Sequence, residues 1–476
     1  ALSMADGSTV VSGSGLIDVD ATDDVTIGRL MTSGNVTIDT TAGEVIDGGD
    51  THTEVEADTL TINSAGGIGE SAGSGADAAL ETVVSTFTAT TTGGSIQIDE
   101  TDGAILAIVT AGGSGDVRIV SATGDLDVQT VLAAGDLVAL TATAGAITDS
   151  SAGETDNITA QDVALRASTG IGAASTDTDD LDVAVTTLAA TTATGDISIS
   201  DDGTLDITTV DGLAGVSITG AGDEILIREG TSTDGDFDVS QTISNAGTGN
   251  VTLFAGGDSS SDELDIVADI TASGGDVQIV SFADVDFNGS PVVSTSGAGT
   301  IEVHAGRVFN FGAALTLGDV EGDIFDADEY TIQTAGGDVT LTATNDIDLD
   351  TVNAGSGTVI VTADSDSSGT GSITDALTAE SANVTGNAAA FRAAQGIGSA
   401  DDVDTNVSTV STTNSTSGNI QIDNGNGTDL TIGTVDGLAG ITNGGGSILV
   451  DNLNGTITVD DAVSTAAGSG GSLSLS

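Results

Sequence analysis

Carboxylates dominate the side chains of this sequence that could do chemistry. Asp-Asp pairs fall at Asp23-Asp24, Asp179-Asp180, Asp201-Asp202, Asp401-Asp402 and Asp460-Asp461. Two carboxylates can work as acid and base in glycoside cleavage. Grooves that cleave sugars also need aromatic platforms and basic residues, and aromatics are 2% of the chain while Lys+Arg number 6. The pairs therefore read as solvated corner residues, and no enzymatic activity is expected.

Binding of a hard cation is the better use of these groups. The stretches Asp99-Glu100-Thr101-Asp102-Gly103, Asp201-Asp202-Gly203 and Asp364-Ser365-Asp366 offer oxygen ligands, the first two with a glycine bend. Asp99, Asp102, Asp201, Asp202, Asp364 and Asp366 are the candidate calcium ligands. No stretch has the EF-hand spacing or the glycine-rich calcium nonapeptide. His52 and His304 are too far apart for a local metal motif and read as surface residues. Arg166 and Arg392 each stand five residues before the isoleucine of a Gly-Ile-Gly and are expected to pair with carboxylates of adjacent turns. Gly-Ile-Gly itself is no phosphate cradle, since no helix follows and the chain has no Lys.

The composition bounds what can position these groups. The chain has 476 residues, 73 Asp+Glu and a formal net charge of −67. Phosphate neutralisation is out of reach, so nucleic-acid binding is excluded. An anionic membrane surface would repel the chain, and no apolar run has the ~18 residues of a spanning helix. Cysteine is absent, which removes disulfides and thiolate chemistry. Mean hydropathy is positive, unlike that of disordered acidic chains. The start, Ala1-Leu2-Ser3, lacks the basic and apolar regions of a signal peptide.

Short alternating strands fill the sequence. Gly-Asp or Gly-Gly introduces GDVRIV, GDLDVQ and GDLVAL, and the same beat returns at Ile197, Leu205, Val216, Ile225 and Phe237. Period-two alternation rich in Val, Ile and Thr is a strand signal. Gly, Asn and Asp supply the corners. A single proline, Pro291, suits uninterrupted hydrogen-bond ladders. The expected fold is all-β: a right-handed parallel β-helix, or β-solenoid, with about 20–24 residues per turn. Stacked corners then lie ~4.8 Å apart, where two carboxylates in water repel by ~0.9 kcal/mol before screening. That repulsion favours bound cations or a high-salt setting in which diffuse counterions screen it.

A longer repeat overlies this beat. VALRASTGIG at 163–172, TLAATTATGDISIS at 187–200 and LDITTVDGLAG at 205–215 recur as AAFRAAQGIG at 389–398, TVSTTNSTSGNIQID at 409–423 and LTIGTVDGLAG at 430–440. A weaker copy begins at LTINSAGGIG, 60–69. One continuous solenoid over 1–476 is expected, with repeats near 60–160, 161–280 and 386–476. The aromatic-rich segment 281–335 is divergent. In it, Phe282, Phe287, Phe309, Phe311, Phe325 and Tyr330 are expected to form an internal stack, one turn apart. Thr-rich tracts and nine N-x-S/T sequons, at Asn35, Asn157, Asn250, Asn288, Asn383, Asn406, Asn414, Asn426 and Asn454, offer glycan acceptors.

This grammar resembles the repeats of filamentous-haemagglutinin-like, haemagglutinin-repeat bacterial exoproteins. The resemblance implies a parallel β-helix shaft, secretion to the cell surface, and adhesive or matrix roles. The N-terminal secretion domain of such proteins, with its Asn-Pro-Asn signature, has no counterpart here. The expectation is an extracellular structural or adhesive rod that associates end to end or laterally and contacts polysaccharide or surface glycans. A carbohydrate-binding or -cleaving β-helix and a surface-layer subunit are the alternatives.

Overall fold

A computed structural model describes residues 1–5, 7–48, 52–69, 79–151, 153, 155–173, 180–220, 224–230, 236–256, 263–308, 315–317, 321–326, 329–377, 379–425, 427–467 and 470–476. Asp179, Phe309, Phe311 and Asn426 lie outside them. The described residues are all-β, with no helix and hence none long and apolar enough to cross a membrane. The chain groups into two compact units, Ala1–Ile227 and Arg228–Ser476.

In both units, strands pair in parallel with the strand one lap on, a lap being the stretch between register partners. In the first unit Ile96–Glu100 lies beside Val117–Ser121, which lies beside residues 138–142; these pair with 163–167, and those with 188–192. In the second, Val251–Ala255, Glu263–Ile266 and Ile270–Ala272 pair with Val277–Ser281, Asp284–Phe287 and Val292–Thr295 respectively. Each strand of that set meets the third strand after it. The sequence dictates this through alternation: a one-residue slip would turn every inward side chain outward.

Like therefore stacks on like. Ile96, Val117, Val138, Val163 and Leu188 form one column of register partners, and Val251, Val277, Ile301, Val339 and Val359 form another; all ten are fully buried. Each such side chain contributes about 1.5–3 kcal/mol on burial. At the corners a glycine column replaces them. A Cβ on Gly275, Gly299, Gly337 or Gly357 would land on the carbonyl oxygen of the glycine one lap earlier. The backbones approach too closely there for any side chain.

Lap length is less regular than the expected 20–24 residues. Ile96 and Val117 are 21 apart, Val163 and Leu188 are 25 apart, and Val285 and Ile324 are 39 apart. The long lap explains segment 281–335. It carries an antiparallel excursion, Arg307–Val308 against Thr316–Leu317, so Phe287 and Tyr330 lie on neighbouring laps and not the two turns apart that their spacing suggests. Phe287 stacks directly on Tyr330, ring centroids 4.5 Å apart, inside the core. The Tyr330 hydroxyl donates to the Asp348 carbonyl at 2.8 Å.

Gly-Ile-Gly also receives a physical account. Ile68, Ile171 and Ile397 are single inward bridges between laps, fully buried, Ile171 joining Ile147 to Ile197 and Ile397 joining Ile373 to Ile420. Gly172 and Gly398, at φ 60° and 61°, turn the chain away in the left-handed region that favours glycine.

Candidate cation sites

One recurring use of the acidic residues is at the corners. The Asp of Gly-Asp caps a backbone N–H one lap later. Asp125 Oδ1 accepts from Ala146 N at 2.8 Å, Asp196 from Glu224 N at 2.8 Å, and Asp276 from Thr300 N at 2.7 Å. Asp284, Asp323 and Asp346 form a chain, accepting from Asp323 N, Asp346 N and Ser372 N at 2.7, 2.7 and 2.6 Å. Asn250 and Asn419 do the same for Asp276 N and Ser447 N. Bonds to an ionised acceptor are about twice as strong as neutral ones.

Buried asparagines hold the laps in a second way. Asn157 donates to the Val128 carbonyl (2.9 Å) and Asp149 (2.9 Å) and accepts from Asp182 N (2.9 Å). Asn383, its repeat counterpart, donates to the Leu349 carbonyl and Asp375 and accepts from Asp404 N. Both are fully buried, as is Asn414, which donates to Asn443 at 3.0 Å. Three of the nine sequons are thus closed to glycan transfer in the folded chain.

The six sequence-derived candidates have different surroundings. Asp99 and Asp102 are exposed, while Glu100 between them turns inward. Glu100 accepts from Thr82 Oγ1 (2.5 Å), Thr101 N (3.0 Å) and Val84 N (3.3 Å); burial pushes its carboxyl up to about 7. Asp201 is fully buried and accepts from Gly203 N (2.8 Å) and Val185 N (2.9 Å); burial likewise raises it to about 7. Asp202 faces solvent. Asp364 and Asp366 cap their own bend, accepting from Gly369 N at 2.8 Å and Ser368 N at 3.1 Å.

Among the described residues, three other groups bring carboxylate oxygens within 4.8 Å of one another: Asp18, Asp20 and Asp39; Asp47, Glu54 and Glu81; and Asp402, Asp404 and Asp423. Register assembles the first and the third. Asp20 is the register partner of Asp39, and Asp404 of Asp423, which in turn pairs with Asp451. In the third group, Asp404 Oδ2 and Asp423 Oδ1 are buried without a hydrogen-bond partner. Burial, then Asp402, Asp375 and Asp423, push Asp404 up to about 6. Three convergent carboxylates with unused buried lone pairs fit a hard cation that completes its shell with water. Local acidic runs were the only signal in the sequence; these groups join residues a lap apart and had none.

His304 is partly buried rather than exposed, and its Nε2 lies 3.4 Å from Glu302, whose carboxyl it holds below the usual range. A cleft of about 140 Å³ contains Asp276, which caps Thr300, and Glu302, which His304 holds ionised. Arg166 and Arg392 reach past the adjacent lap to Asp211 (3.3 Å) and Asp436 (2.9 Å), the aspartates of the two VDGLAG segments. No family model, curated protein or solved structure matches this chain.

Proposed function

We propose that the chain is a right-handed β-solenoid serving as an extracellular structural or adhesive shaft of a bacterial surface or matrix, with acidic faces bridged by divalent cations, calcium foremost. The observation that carries this reading is the column register. Identical roles recur lap after lap, which is how a repetitive scaffold is built, and right-handed crossovers are the rule between parallel strands. The resemblance to haemagglutinin-repeat exoproteins supports the surface role. The carboxylate groups centred on Asp20–Asp39 and Asp404–Asp423 support the cation dependence. Copies associate with one another end to end or side by side, cations screening their like charge.

Negative-stain microscopy at rising protein and calcium concentrations tests this. Fibres or bundles that form with calcium and disperse with chelator are expected. Isolated particles under every condition would contradict it. Antibody labelling of intact producing cells should decorate the surface, and labelling only after lysis would remove the extracellular assignment.

A further inference from the structure

The heptapeptide TVDGLAG occurs twice, at 209–215 and 434–440. Each copy is an antiparallel hairpin, Thr209–Val210 against Leu213–Ala214 and Thr434–Val435 against Leu438–Ala439. Asp211 and Gly212 have φ 49° and 74°, Asp436 and Gly437 φ 48° and 71°, the all-positive pair of a type I′ turn. Neither hairpin joins the parallel ladder; each lies on its outer surface.

The first hairpin covers several laps. Arg118, Ala139, Ala164 and Ala189 are successive register partners at an outward slot. Val210 packs on the three alanines, with Leu137 and Leu213 at the edges. The tip carboxylate accepts from Arg118 Nη1 at 2.8 Å and Arg166 Nη1 at 3.3 Å, and Arg166 Nη2 also reaches the Asp211 carbonyl at 2.7 Å. The hairpin leaves the chain after Ile207, the partner of Leu188. It therefore runs back across three strand gaps, about 14 Å. Burial records the footprint: at 138–140, 163–165 and 188–190 three consecutive residues are buried where alternation demands an exposed middle one. The second hairpin repeats this with Val435 on Ala388 and Ala390 and with Arg392 on Asp436, but Thr340 stands at the register position of Arg118.

We propose that the TVDGLAG hairpin is a strap that ties non-adjacent laps together, and that its Asp–Arg clasp is a catch released by ionic strength. Ladder bonds link a lap only to its neighbours; the strap links the lap of Ile207 and Val216 to those of Arg166 and Arg118. The clasp side chains are partly exposed, so salt weakens them. The proposal holds whether or not the protein is a shaft.

Amide hydrogen exchange on the full chain tests it. Asp211→Asn keeps an Asn-Gly turn and removes only the charge. Exchange at Val210–Ala214 should quicken about three- to tenfold at low salt, while residues 434–440 stay unchanged as an internal reference. Raising salt to 1 M should quicken the native strap and leave the variant unaffected. Arg118→Thr, which reproduces the single-armed second strap, should fall between. Equal exchange in native and Asp211→Asn protein at low salt would overturn the catch. Loss of protection across the whole unit would overturn the separateness of the strap from the ladder.

Discussion

The acidic side chains divide by where they point. Outward carboxylates meet solvent, corner carboxylates cap amides, and a few turn inward. Asp201 shows the last class most clearly, set beside its uncharged counterpart Asn424. They end equivalent strands, Ile197–Asp201 and Ile420–Asn424, and cap equivalent amides, Val185 N at 2.9 Å and Val407 N at 3.0 Å. Asn424 makes that bond without charge, whereas Asp201 does so as a buried acid raised to about 7. Glu100 is raised similarly, and Asp286 and Asp404 to about 6. A raised acid binds its proton more tightly in the folded chain. The folded state then holds more protons between pH ~4 and ~7, and stability falls as pH rises through that window. The melting temperature should be a few degrees higher at pH 5 than at pH 8, and Asp201→Asn should flatten part of that slope in thermal scans. A profile rising with pH would contradict this assignment. Removing one corner cap, as in Asp276→Ala, should cost about 1 kcal/mol in chemical denaturation. The sequence marked Gly-Asp as a strand start but gave no sign of its amide partner, which sits a lap away.

At the scale of elements, alternation and corner residues made the parallel strands legible, because each strand carries its own facing pattern. Lap length was not legible. Corners tolerate excursions such as the pairing of Arg307–Val308 with Thr316–Leu317 without disturbing the register on either side, so sequence distance does not count laps. That is why Phe287 meets Tyr330 directly. The straps were readable in principle. Asp-Gly between apolar residues is a hairpin signal, and small residues at outward slots in VAL, VAL and LAA mark its footprint. Read as a repeat marker, VDGLAG hid both. Ala164→Leu would wedge the strap from the sheet. Faster hairpin exchange is expected, with about 1–3 kcal/mol lost to overpacking; unchanged exchange would mean that the alanine column does not seat the strap. Filling the glycine column, as in Gly337→Ala, should be worse, since the new Cβ meets backbone rather than a movable side chain.

At the scale of the molecule, a charge of −67 meets a register that sets carboxylate beside carboxylate, as at Asp20–Asp39 and Asp404–Asp423. Calcium should raise the melting temperature, by the equivalent of about 2.7 kcal/mol when present at 100 times its Kd. Asp404→Asn with Asp423→Asn should reduce that response while raising the calcium-free baseline; an undiminished response would move the cation elsewhere. All of these expectations rest on like residues lying beside like, one lap apart. The cysteine-free chain makes that directly measurable. Thr61 and Thr88 are outward register partners in the first unit, as are Thr413 and Thr442 in the second. Double variants Thr61→Cys/Thr88→Cys and Thr413→Cys/Thr442→Cys should oxidise to disulfides rapidly and completely with no loss of melting temperature, whereas the offset pair Thr61→Cys/Thr90→Cys should oxidise slowly or not at all. Faster closure of the offset pair, or failure of both register pairs, would contradict the account.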